Sequence, residues 1–251
     1  MSAQAQRRNQ SVQKAAALLR AAAGAPEGVT VSELARRAGL PRATALRMVE
    51  ALLAERFLRR LPDERVALGA GLLGIARAAD PDALLLEAAE ASLTALVESV
   101  SETITLTVSH PDGSLEIVKQ LDGPHMLGLT NWVGRPFPVH ASSSGKLALA
   151  LGGEAVRRTL SGRLERHASR TITTRTQLEA ELARVRECGY SEIVDELEDG
   201  LAAISVPIVL DGELVASINA SGPTQRFDDA ARARALPALR DAAANIERRL
   251  R

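Results

Sequence analysis

Apolar residues recur at helical spacing through the N-terminal part of the chain and at every second position in two later stretches, and this change of period divides it. From Ser11 to Ala23, Val12, Ala15, Ala16, Leu19 and Ala23 fall near one face of a helix. Gly24 to Gly28 breaks it. Thr30 and Glu33 have capping-box spacing, so a second helix starts near Val31. Gly39 suits its left-handed end and Pro41 the first turn of a third helix, on which Leu46, Val49 and Leu53 are expected to face the core. Glu55 to Leu68 reads as two short strands around a Pro62-Asp63-Glu64 turn, and the apolar run Gly71 to Ala79 as a linker helix. Asp80 as N-cap and Pro81 at the first helical position restart a helix that runs to about Val100.

Beyond this point the texture changes. Thr103 to Ser109 alternates polar and apolar residues, the period of a half-buried strand. Leu115 to Leu121 pairs with it across the Pro111-Asp112-Gly113 turn, and Met126 to Leu129 is expected to add a third strand. A Gly/Pro-rich loop to Pro138 leads into a small-residue helix over Ser142 to Leu151. Thr176 and Glu179 have the spacing of another capping box, on a helix with Leu178, Leu182 and Val185 along one face. Strands over Tyr190 to Val194, Ala202 to Leu210 and Leu214 to Ala220, the last two around Asp211-Gly212, precede a final helix from Asp228 to Leu250. The pattern predicts an α+β chain: residues 1–10 a disordered tail, 11–70 a winged helix-turn-helix, 71–80 a linker helix, and 81–251 an antiparallel sheet flanked by helices.

Helix, Gly turn, helix and hairpin is the layout that sets one helix in the DNA major groove and a wing beside the backbone. On the third helix Arg42, Ala43, Thr44 and Arg47 are the candidate groove residues, and Arg59, Arg60 and Arg65 make the wing basic. The charge distribution agrees. Residues 1–79 hold 13 Lys/Arg and 6 Asp/Glu, a net +7, whereas residues 80–251 hold 18 and 25, a net −7, so the overall balance of zero hides a basic module on an acidic body. Aromatic residues make up 2% of the chain, too few for the stacking platforms of single-strand or RNA readers. One cysteine, Cys188, excludes an internal disulfide framework. No apolar run approaches the roughly 20 residues of a membrane span, and the polar N-terminus is unlike a secretory signal, so the expected place is the cytoplasm.

The densest polar cluster of the second half is Val139-His-Ala-Ser-Ser-Ser-Gly-Lys-Leu147. Serines just before a helix offer hydroxyls and free N–H groups, which hold anions well; ordinary N-capping by Ser142 or Ser143 is the plainer reading. Ser143-Ser-Gly-Lys146 also matches the S-x-x-K of acyl-transfer enzymes, but the companion S-D-N and K-T-G motifs are missing. A phosphate loop would need glycine at His140 and Ser or Thr at Leu147, so no enzyme is expected. His110, His125, His140 and His167 are scattered, solvated or capping by expectation, without metal-ligand spacing; neither metal nor cofactor is expected.

Taken in order, Leu34-Ala-x-x-Ala-Gly-Leu-Pro-x-Ala-Thr-x-x-Arg47, Leu68-Gly69, Val133-Gly-Arg-Pro-x-Pro-x-His-Ala-Ser-x-x-Gly-Lys146, Cys188-Gly-Tyr190 and Ile218-Asn-Ala-Ser-Gly-Pro223 resemble the IclR family of bacterial transcriptional regulators over nearly the full chain. The resemblance implies a GAF-like effector domain, a homodimer or homotetramer, a pseudo-palindromic double-stranded DNA operator, and a small metabolite that alters operator binding. It implies an effector pocket at Met126, Leu129, Ser143, Ser144, Ile193, Ala203, Asn219 and Ser221. Members that bind small oxo-acids carry an acid where this chain has Ile193, a thiol at Ala203, and Gly-Ala at Ser143-Ser144; the departures point to a more apolar pocket and a larger organic acid, such as an aromatic one. Arg56 stands where a Gly is common, and Ala43 and Ala45 where relatives often have polar residues. The expected function is a ligand-responsive regulator, a repressor of a catabolic operon. The alternative is a sensor whose winged helix only dimerises or contacts protein.

Overall fold

The computed structural model describes residues 10–126, 128–160 and 162–251. The expected N-terminal tail lies outside them except for Gln10, which opens the first helix. The chain forms two compact units that part between Pro81 and Asp82.

The first unit runs α1 (Gln10–Ala23), α2 (Val31–Arg37), α3 (Arg42–Ala54), β1 (Leu58–Arg60), β2 (Val66–Leu68) and α4 (Gly71–Ala79). Thr30 is extended and its hydroxyl accepts from the Glu33 N–H at 3.3 Å, one half of the capping box. The Glu33 carboxylate turns instead to Arg36 and Arg37, at 2.6 and 2.9 Å, and their hydrogen bonds draw its pKa down to about 2. Gly39 holds φ +64°, the left-handed step that reverses the chain before α3. Pro41 is the N-cap of α3 rather than its first residue. The inward face of α3 differs from the one expected. Ala45, Val49 and Leu52 are buried against Leu18, Leu34 and Val66, while Leu46 is 49% exposed and Leu53 only half-buried. A methyl-sized Ala45 lets α3 approach its neighbours closely, which side-chain hydrophobicity alone does not reveal.

The wing is a short antiparallel ladder with Leu58 opposite Leu68 and Arg60 opposite Val66. Arg56, just before it, adopts φ +59°, the left-handed region that favours the Gly expected there from the family resemblance. Arg56→Gly removes that left-handed strain, at about 1–2 kcal/mol, against the entropy that Gly adds to the unfolded chain, roughly 0.5–1 kcal/mol. Thermal unfolding of the variant is expected to show equal or slightly raised stability; a fall in midpoint would show that the Arg56 side chain stabilises the turn.

The second unit contains α5 (Pro81–Val100), β3 (Thr103–Ser109), β4 (Leu115–Leu121), α6 (Ser143–Leu151), α7 (Gly153–Thr159), α8 (Arg175–Cys188), β5 (Ser191–Val194), β6 (Leu201–Leu210), β7 (Glu213–Pro223) and α9 (Asp229–Leu250). Its five strands form an antiparallel sheet in the order β4-β3-β7-β6-β5. The β6–β7 hairpin closes through Asp211 and Gly212, both at positive φ, as a two-residue I′ turn requires. This is the expected α+β arrangement. The apolar face of the sheet, with Ile104, Leu106, Ile204, Val206 and Ile218, packs on α5 through Leu93 and Leu96 and on α9 through Leu239 and Ile246.

Four expectations need correction here. No strand forms among the described residues of Met126 to Leu129; they belong to a loop that leads to Pro138. The cap of α8 is Thr174, whose hydroxyl accepts from the Gln177 N–H at 3.3 Å, two residues before the expected Thr176. Asp80 sits at φ +41° as the C-cap of α4, not extended as an N-cap would be. Most importantly, β3 is not half-buried: Thr103, Thr105 and Thr107 are covered as fully as Ile104 and Leu106. The reason is α6, which lies over the hydroxyl-bearing face.

Candidate functional site

The strand register sets out that second face row by row. Thr105, Asn219, Ser205 and Ser191 are successive partners across β3, β7, β6 and β5, and so share one face. Thr103, Ser221, Ala203 and Ile193 form the adjacent row. The first row seats α6: the Ser191 hydroxyl donates to the Ser143 carbonyl at 2.5 Å, and the Ser205 and Ser143 hydroxyls lie 2.7 Å apart. The second row is the floor of a cavity of about 540 Å³, the open solvent at its mouth included.

Of the residues expected to form the pocket, Leu129, Ser143, Ser144, Ile193, Ala203, Asn219 and Ser221 all line it. Met126 does not; it is fully exposed, because its segment is loop rather than strand. Thr103, Thr105 and Ser142 add hydroxyls that sequence reading missed, and Ile117, Leu197 and Leu201 add apolar surface. Trp132 and Phe137, the chain's single tryptophan and one of its three phenylalanines, close the cavity from the loop before α6. Two aromatics in one loop of an aromatic-poor chain were the available signal. Gln120 clamps this loop: its Oε1 accepts from the Trp132 N–H at 3.1 Å and its Nε2 donates to Asp122 at 2.8 Å. Among the described residues no charged side chain lines the cavity.

The start of α6 is its most polar wall. The Ser142 hydroxyl accepts from the Gly145 N–H at 3.2 Å, so Ser142 is the cap. Among the described residues the Ser143 and Ser144 N–H groups and the Ser144 hydroxyl have no partner. A helix start with free N–H groups favours a carboxylate. Gly145 is required by packing, since a Cβ there would meet the Val139 carbonyl at 2.0 Å.

Lys146 has no part in acyl-transfer chemistry. It is buried, donates to Glu196 Oε1 at 2.6 Å and lies 3.7 Å from Glu181. Burial raises the Glu196 pKa, with the Lys146 charge pulling the other way. Burial also pushes Glu181 up, but hydrogen bonds from Arg184 and the Lys146 charge outweigh it and leave its pKa lowered. His140 and His167, distant in sequence, bring their rings to 5.5 Å, and His140 is buried on the Glu165 carbonyl at 2.9 Å rather than solvated. Among the described residues no group of His, Cys, Asp and Glu is placed to hold a metal, and no helix is long and apolar enough to cross a membrane.

In the first unit, Arg42, Ala43, Leu46 and Arg47 lie exposed on α3, with Thr44 half-buried beside them and Ala45 in the core, where it cannot meet a groove. The wing is less basic than its composition implied. Arg60 pairs with Glu50 at 2.8 Å and Glu64 at 3.1 Å, and Arg65 pairs with Asp63. Among the described residues Arg42, Arg47 and Arg59 have no acidic partner. On α3 and the wing strands these three guanidiniums are thus not committed to a carboxylate.

A winged helix-turn-helix with uncommitted arginines, on a chain that also carries a small-molecule cavity, defines a ligand-responsive DNA-binding regulator. The family model for the IclR helix-turn-helix domain matches residues 11–62, and that for the bacterial transcriptional regulator IclR C-terminal matches residues 82–248. The chain belongs to the IclR family. It is 33% identical to the HTH-type transcriptional regulator Rv1719 of Mycobacterium tuberculosis over 87% of this chain and 84% of that one. It is 29% identical to the transcriptional repressor IclR of Escherichia coli over 88% and 82%. A crystal structure of an IclR homolog complexed with 4-hydroxybenzoate, from Microbacterium hydrocarbonoxydans, superposes with a TM-score of 0.60 at 29% identity, covering 96% and 98%. These relatives are regulators, and the enzyme reading of Ser143 to Lys146 is set aside.

Proposed function

We propose that this regulator represses a catabolic operon in the cytoplasm and that a small aromatic carboxylic acid, bound in the cavity, alters its operator affinity. The observation that carries this reading is a largely apolar, uncharged cavity with two unpartnered N–H groups at the start of α6. Such a site holds a carboxylate at its polar end and a ring against Ile193, Leu129, Trp132 and Phe137. Without those donors, burying an acid beside Ile193 would be costly. The 4-hydroxybenzoate held by a relative is of this chemical class.

Two substitutions test the site by calorimetry against a panel of benzoates and oxo-acids. Ala203→Trp fills the floor, and binding is expected to fall by about 100-fold or more, a loss of roughly 3 kcal/mol. Ser144→Asp sets a like charge beside the carboxylate and is expected to weaken binding by at least about tenfold. If neither changes the affinity of an acid that binds the wild-type protein, the ligand lies elsewhere.

On DNA we assign Arg42, Ala43, Thr44 and Arg47 to the groove and Arg59, with Arg60 and Arg65, to the flanking backbone. The operator is pseudo-palindromic, because one short helix buries little surface and two-fold symmetry doubles the contact. Exposed Val12, Leu73 and Ile75, at 63, 61 and 57%, support pairing of α1 and α4 with a second copy. Sedimentation at micromolar concentration is expected to give a dimer or tetramer; a monomer that footprints one half-site would refute this.

A further inference from the structure

The hydroxyls behind the cavity are wired in one direction. Asn219 bridges β3 and β6. Its Nδ2 lies 3.0 Å from Thr105 Oγ1, 2.9 Å from Thr107 Oγ1 and 3.4 Å from the Thr105 carbonyl oxygen. A carbonyl only accepts, so the amide nitrogen belongs on that side and Oδ1 on the other. Oδ1 faces the Ser205 hydroxyl, with Ser217 Oγ at 3.4 Å. An amide oxygen also only accepts. Ser205 has one hydrogen, and it goes to Asn219.

The consequence reaches Ser143. Its hydroxyl is 2.7 Å from that of Ser205, whose hydrogen is already committed. Ser143 is therefore the donor in that pair, and only its lone pairs are left for the cavity. The groups of this chain are all deeply buried: Ser205 is 0% exposed, Asn219 3%, Ser143 4% and Thr107 2%. Water cannot easily resupply a lost bond there, so reversing the chain would strand a buried polar group.

We propose that Ser205, which does not itself line the cavity, fixes Ser143 as a hydrogen-bond acceptor, so that the effector is a carboxylic acid carrying a hydroxyl rather than a plain acid or an oxo-acid. The carboxylate takes the free N–H groups of α6 and the Ser144 hydroxyl; the ligand hydroxyl donates to Ser143 Oγ. A keto or ether oxygen at that position would face lone pairs. This inference rests on the cavity being the effector site.

The experiment uses the full-length protein and 2-, 3- and 4-hydroxybenzoate, each paired with its methoxy counterpart, which accepts but cannot donate. Trp132 is the single tryptophan and lines the cavity, so its emission reports occupancy. The wild-type protein is expected to bind its preferred hydroxybenzoate at least about tenfold tighter than the methoxy partner. In Ser205→Ala, Ser143 can turn its hydrogen into the cavity. The ratio is then expected to shrink several-fold through a gain by the methoxy acid. The bulk of the methyl group is common to both proteins and drops out of that comparison. Ser143→Ala removes the acceptor and is expected to shrink the ratio too, which keeps the test open if Ser205→Ala does not fold. A wild-type preference for the methoxy acids, or a ratio unchanged in the variants, overturns the role of Ser205 while leaving the effector site standing. If no acid perturbs Trp132 in the wild-type protein, the effector site falls and this proposal with it.

Discussion

Replacing Arg42 and Arg47 together with alanine is expected to abolish specific operator binding while leaving the fold intact. Both side chains are exposed on α3, both lack an acidic partner among the described residues, and neither contributes to the core built on Ala45, Val49 and Leu52. Each contact of a groove arginine carries about 1–3 kcal/mol. They are five residues apart, so their effects should nearly add, to roughly 2–6 kcal/mol per half-site or at least about 30-fold. Singly, Arg47→Ala separates two roles: lost discrimination at one base pair marks base readout, whereas a uniform loss across sequences marks phosphate contact. Arg60→Ala serves as the internal control. Its guanidinium is already held by Glu50 and Glu64, so a smaller effect is expected. Anisotropy titrations at fixed salt make the comparison; unchanged affinity in the double variant would remove α3 from the interface.

The largest effect on stability is expected at Lys146→Met. The ammonium is buried against Glu196 and Glu181, and among the described residues Glu196 Oε2 already has no hydrogen-bond partner. Removing one partner of a buried pair leaves an uncompensated charge and costs about 3–5 kcal/mol. The pH dependence follows from the carboxylates. In the wild-type protein Glu181 is held below its usual range, so its contribution is present above the unfolded pKa and is lost as pH falls through the folded value. Without Lys146 both folded-state carboxylates shift upward: Glu181 keeps its Arg184 hydrogen bonds, whereas Glu196, already raised by burial, loses the charge that opposed the rise and is protonated more readily in the fold than in the unfolded chain. The deficit of Lys146→Met is therefore expected to be largest at neutral pH and to narrow as pH falls toward the carboxylate range. A deficit that stays constant with pH would show that the loss is one of packing.

The N-terminal half was legible because its signals are local. Thr30 as cap and Gly39 as a left-handed step act through their immediate neighbours, and both occupy the roles their types suggest. The face of α3 was misread because burial there is decided by close approach at Ala45, a tertiary property. The sheet was legible as strands but not as two faces. Thr103, Thr105 and Thr107 have the alternation of a solvated strand, and only the return of α6 makes their side the interior. Resemblance reached Leu129, Ile193, Ala203 and Asn219 in the cavity wall, which no spacing could have assembled. It failed at Met126, where the chain forms loop instead of strand. Ser205 carried no signal at all. Its role comes from a register that places it between Asn219 and Ser191, and from one hydrogen that it can give only once.

The coupling of the cavity to DNA is the centre of this account, and one titration addresses it directly. Promoter DNA from upstream of the protein's own gene is titrated with wild-type and Ala203→Trp protein, with and without the benzoate that most perturbs Trp132. The wild-type affinity is expected to change several-fold or more on adding the acid, in the range of ordinary allosteric coupling. Ala203→Trp is expected to bind the same DNA as tightly as the wild-type protein and to ignore the acid. An acid that shifts DNA binding equally in both proteins would contradict a regulatory role for this cavity.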